Sequence, residues 1–86
     1  MSFSRYVVQF TLAPYMNGAN GKPRYHAIGT DSVEEIERAH LYTTLALAQK
    51  HMEKMWTGDV HYRTYETMAI IEVRVEVVNQ IVSKQK

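Results

Sequence analysis

Residues 60–78, VHYRTYETMAIIEVRVEVV, are rich in β-branched and aromatic side chains along their whole length, and such a run has to find partners in a sheet. Nineteen residues are more than one strand normally needs, so the spacing predicts two strands divided near Glu66-Thr67-Met68. The phase supports a division. Val60 and Tyr62 are apolar at even positions, whereas Ile71, Val73, Val75 and Val77 are apolar at odd ones, and a slip of one residue requires a turn or a bulge.

Partners for these strands lie at the other end of the chain. In RYVVQFTL, residues 5–12, Tyr6, Val8, Phe10 and Leu12 alternate with Arg5, Val7, Gln9 and Thr11, which is the period of a half-buried strand with the first set toward the core. Pro14 has no N–H for a ladder and closes that strand. Asn17-Gly18 and Asn20-Gly21 suit left-handed backbone, so 14–23 reads as an exposed loop that presents Tyr15 and Met16. RYHAIGT, residues 24–30, predicts a second strand antiparallel to the first.

A helix is signalled next. Ser32 and Glu35 have capping-box spacing, Glu34 and Glu37 sit near the positive end, and Lys50 and Lys54 near the negative one. At 100° per residue Val33, Ile36, Leu47, Ala48, Met52 and Met55 fall on one face with His40 and His51, and Gly58 is a natural left-handed cap. The pattern predicts a helix over residues 33–57, roughly 24 residues and ~36 Å long. The expected architecture is therefore α+β: an antiparallel β-β-α-β-β sheet with one long amphipathic helix packed on one face. It forms a single domain over residues 1–86 with a frayed basic tail at 80–86.

Composition restricts what such a domain does. A chain of 86 residues buries only about 60–65% of its extended surface, and without cysteine neither a disulfide nor a thiolate zinc site can supplement the thin core. Self-association, most simply a homodimer, is expected. Ten Lys and Arg against nine Asp and Glu give a net charge of +1, far from the basicity of a protein built to neutralise a phosphate backbone. The segment MSFSRYVVQF carries no signal-peptide pattern and no 18-residue apolar span exists, so a soluble, cytoplasmic chain with no membrane contact is expected.

Catalytic and cofactor patterns are weak. There is no cysteine nucleophile, and Ser2, Ser32 and Ser83 lie at the ends or in a cap. GANGKP, residues 18–23, lacks the spacing and the following helix of a phosphate-binding loop. His40 and His51 on one continuous helix would share a face but stand ~16 Å apart, too far to ligate one metal ion. Glu37 and His40 form only one Glu-x-x-His pair where a di-metal bundle needs two. Neither an enzyme, a metal nor a cofactor is expected.

The sheet face turned away from the helix is the expected contact surface. It would carry Arg5, Arg24, His26, His61, Arg63, Tyr65 and Arg74, four of the five arginines among them. Arginine and tyrosine are enriched at protein interfaces, and the mixed charge contributed by Glu72 and Glu76 suits a protein partner. The alternative is a single-stranded nucleic-acid binder that stacks bases on Tyr25 or Tyr65, against the repulsion of those two glutamates.

No family motif matches residue by residue. The layout of hairpin, helix and two strands loosely resembles compact inhibitors encoded by bacteriophages. Its helix-then-hairpin half is similar to the small flavin-storing dodecins, a resemblance that would make Trp56 the stacking residue of a flavin site. Both are likenesses of topology, which does not imply function. The expected function is a small non-catalytic protein-binding or regulatory, inhibitor-like module acting through the arginine-rich face and the 14–23 loop; a small metal- or flavin-binding protein is the remote alternative.

Overall fold

The computed structural model describes residues 1–16, 20–29, 32–58, 64–78, 82 and 84. Among these residues three antiparallel strands, β1 (Ser2–Leu12), β2 (Arg24–Tyr25) and β3 (Tyr65–Glu76), form one sheet in the order β2-β1-β3. One α-helix, α1 (Leu45–Thr57), and a 3-10 turn (Ile36–Arg38) complete an α+β fold. The long alternating segments dominate: β1 pairs with β3 from Ser2↔Glu76 to Leu12↔Tyr65.

The phase slip near Glu66 is a bulge. Thr11 lies opposite Thr67 and Leu12 opposite Tyr65, so Glu66 is the extra residue and the strand continues through the point where the sequence predicts a division. Residues 60–63, the start of the separate strand expected there, lie outside the described residues. Strand β2 is shorter than the predicted 24–30. Pairing persists one step further, because the His26 N–H donates to the Val8 carbonyl at 3.0 Å, and a turn at Ile28 and Gly29 (φ +85°) then leads the chain away.

The long helix is the main correction. Val33 and Tyr25 exchange backbone hydrogen bonds at 3.0 and 2.8 Å, which commits Val33 to an extended bridge. The expected capping residues are used elsewhere: the Ser32 hydroxyl accepts from Arg24 Nε at 2.7 Å, and Glu35 pairs with Arg38 at 3.8 Å. Only the 3-10 turn forms. Tyr42 then exchanges both backbone bonds with Tyr6, at 3.0 and 2.8 Å, and Tyr42-Thr43-Thr44 suits this extended path because aromatic and β-branched residues favour strands. The helix starts only after Thr44, whose Oγ1 accepts the Leu47 N–H at 3.2 Å. It ends as the sequence indicates, with Gly58 left-handed at φ +86° and its N–H bonded to the Lys54 and Met55 carbonyls. These 13 residues span about 20 Å, not the ~36 Å expected.

Both faces of β1 are covered. Val8, Phe10 and Leu12 pack with Ala48 and Met55 of α1, flanked by Tyr6, Tyr42, Met68 and Ile70. Val7 packs on the opposite side with Ala27, Val33 and Ala39, flanked by Ile36 and Val73. Val7 and Val8 are consequently both 0% exposed although they are adjacent and point in opposite directions. Met55→Ala should cost about 2–5 kcal/mol, and Thr44→Ala, which removes the helix cap, about 1 kcal/mol. Urea unfolding at constant m-value measures both, and a Met55→Ala loss no larger than that of half-exposed Leu47→Ala would contradict the packing.

Candidate functional site

The break before Thr44 changes the geometry of the histidines. The His40 N–H donates to the His26 carbonyl at 2.9 Å, so the 40–42 segment runs beside β2 and under α1. Ring centroids lie 4.2 Å apart for His26 and His51, 6.2 Å for His26 and His40, and 5.7 Å for Tyr42 and His51. His40 meets Tyr42 edge-on at 4.5 Å. The ~16 Å separation of His40 and His51 that one continuous helix would impose therefore does not apply. Among the described residues no group of three His, Asp or Glu side chains is arranged to hold a metal ion.

This cluster forms the wall of a cleft of about 390 Å³ lined by His40, Tyr42, Leu47, Lys50, His51 and Lys54. Lys50 and Lys54 are one helical turn apart and so project side by side. None of these lining residues is a carboxylate. Burial pushes the Tyr42 phenol up from 10.0 to about 12, so it remains an O–H donor well into the alkaline range. Leu47, half exposed, adds an apolar wall. Two ammonium groups, a phenol and two imidazoles converging beside a leucine can hold an anionic group that carries apolar neighbours.

The residues expected to form one contact face are separated. Arg5 lies opposite Val73 on the face away from α1, its guanidinium 4.3 Å above the Phe3 ring and bonded to the Ser4 carbonyl at 2.9 Å. Arg74 lies opposite Ser4 and so takes the other face. Arg24 bonds Ser32 and pairs with Glu34 at 3.6 Å. His26 is buried beneath α1, and Tyr65 packs edge-on against Phe10 at 5.1 Å in the core. In the 14–23 loop Tyr15 is exposed, whereas Met16 packs against the core cluster. His61 and Arg63 lie outside the described residues. Tyr42, Leu47, Lys50 and Lys54 were not expected at a site; Thr44 as a cap before LALAQK is the sequence signal that leads to them.

The native state holds the Tyr42 proton at pH values where an unfolded tyrosine has released it. The associated stability is complete below pH 10 and is lost as pH rises toward about 12. Tyrosinate absorbance should show a late component near pH 12 that Tyr42→Phe removes, together with a flatter loss of stability above pH 10. A Tyr42→Phe titration that superimposes on wild type would contradict the burial of this phenol.

No family model, no curated protein and no solved structure matches this chain.

Proposed function

We propose that the chain is a small non-catalytic protein-binding or regulatory module, inhibitor-like in mode, that docks an acidic and apolar segment of a protein partner in the cleft between α1 and residues 40–42. The observation that supports this reading is the lining itself: Lys50, Lys54, His40, His51 and the Tyr42 phenol around Leu47, without a carboxylate. Lys50 and Lys54 are exposed at the rim of the cleft, and a carboxylate seated between them gains charge-assisted hydrogen bonds, about twice as strong as neutral ones. Exposed Tyr15 offers a second contact from the 14–23 loop.

A protein fits better than a nucleic acid. Two lysines make a short cationic spot, not the track that follows a phosphate backbone, and the net charge is only +1. The apolar wall would gain nothing from phosphates. The one hydroxyl in the cleft lining is a phenol, which is protonated at neutral pH and serves there as a hydrogen-bond donor.

Fluorescence anisotropy with a labelled peptide of alternating Glu and Leu tests the reading. Binding should weaken at least about tenfold in Lys50→Glu/Lys54→Glu, given ~1.5–3 kcal/mol for a hydrogen bond to a charged group. It should be absent for the peptide with Lys in place of Glu. Undiminished binding by the double variant would overturn the cleft as the site. Tighter binding of a single-stranded oligonucleotide, falling steeply with salt, would replace the protein partner with nucleic acid.

A further inference from the structure

A second surface, independent of the cleft, lies on β3. Among the described residues β3 pairs only with β1, so its outer edge is open over a strand of 12 residues. The direction of its backbone groups follows from the ladder. The Val77 N–H donates to the Met1 carbonyl at 2.8 Å, and Tyr6, which lies opposite Glu72, gives both of its backbone bonds to Tyr42 on the far side of β1. Hydrogen-bonded and non-hydrogen-bonded pairs alternate in an antiparallel ladder. Odd residues of β3 thus face β1 with their polar groups, and Met68, Ile70, Glu72, Arg74 and Glu76 direct theirs to the open edge. A long, β-branched strand with such an edge is a template for another strand.

We infer that the occupant is β3 of a second copy, added antiparallel about a two-fold axis at Val73, so that Glu72 of each copy lies opposite Arg74 of the other. The charge pattern selects this register. Centring on Arg74 would oppose Arg74 to itself and Glu72 to Glu76, and centring on Glu72 would oppose two carboxylates. Centring on Val75 pairs Arg74 with Glu76 but shortens the overlap with the described strand. Centring on Ile71 gives no opposite-charge pair and opposes Glu66 to Glu76. The Val73 register pairs residues 70–76 strand against strand, with Val73 against Val73 and Ile71 against Val75 on one face and two Glu72–Arg74 pairs flanked by Ile70 against Glu76 on the other, and it sets Val77 and Val78 beside Ala69 and Met68.

The same register explains two exposed apolar groups. Val78, 78% exposed, would lie beside Met68 of the second copy. Met68 lines a groove of about 300 Å³ with Met52 and Trp56, and Trp56 is 57% exposed. Pairing covers each valine with the other copy's groove. Nothing in this arrangement involves Lys50 or Lys54, so the dimer and the cleft are separable.

The cysteine-free chain allows a direct test. Directly opposed non-hydrogen-bonded residues have Cα atoms about 4.5 Å apart, within disulfide range, whereas two Val75 residues would stand ~13 Å apart. Val73→Cys should oxidise to a covalent dimer on a non-reducing gel and Val75→Cys should not. Light scattering should give twice the 10.0 kDa chain mass for wild type, the single-chain mass for Arg74→Glu, and the dimer again for Glu72→Arg/Arg74→Glu. Lys50→Glu/Lys54→Glu should remain dimeric. A monomeric wild type, cross-linking through Val75→Cys in place of Val73→Cys, or a folded charge-swapped variant that stays monomeric would each overturn the proposal.

Discussion

The two backbone hydrogen bonds between Tyr6 and Tyr42 decide the rest of the structure. Tyr6 faces away from β3 with its N–H and C=O, and leaving either group buried without a partner would cost about 1–3 kcal/mol. The competing helical path offers little in return, because Tyr and Thr are each only middling helix formers. Edge pairing therefore wins. Tyr42 also brings its ring into the cluster under α1, so the same choice adds apolar burial.

The geometry of the cleft follows from that break. With α1 beginning at Leu45, His40 doubles back to bond His26, and His51 from the second helical turn meets His26 and Tyr42. Lys50 and Lys54 then overhang a space that a continuous helix would not have created. The break also completes the second edge of β1, which β2, His26 and Tyr42 occupy in turn, and leaves β3 as the outer strand among the described residues. Lys50 and Lys54 of α1 line the cleft, while Glu72, Arg74 and Glu76 alternate in sign along β3. The two surfaces differ in chemistry because one is a partly enclosed corner and the other a solvated ladder.

Much of this was legible in the sequence. The alternation in residues 5–12 identified β1 and its core-facing set, Gly58 marked the helix end, and the slip before Met68 was seen even though it is a bulge and not a turn. The helix start was misread for a physical reason. Ser32 and Glu35 have the spacing of a capping box, but spacing carries no information about Arg24 and Arg38, which claim those side chains in the folded chain. The arginine face failed differently. Alternation tells which residues share a side, not which side the helix takes. Here both sides of the sheet are apolar, one covered by α1 and the other by Ala27, Val33 and Ala39. Ile71, Val73 and Val75 therefore join Arg5, and Arg74 goes to the opposite side.

The break between the 3-10 turn and α1 is the claim on which the cleft depends, and nuclear magnetic resonance of residues 33–57 tests it most directly. Carbon secondary shifts should be extended over 39–43 and helical from Leu45 to Thr57, with a slowly exchanging Tyr42 amide and a cross-strand contact between Tyr6 and Tyr42. Helical shifts running without interruption from residue 33 to 57, with no Tyr6–Tyr42 contact, would contradict it.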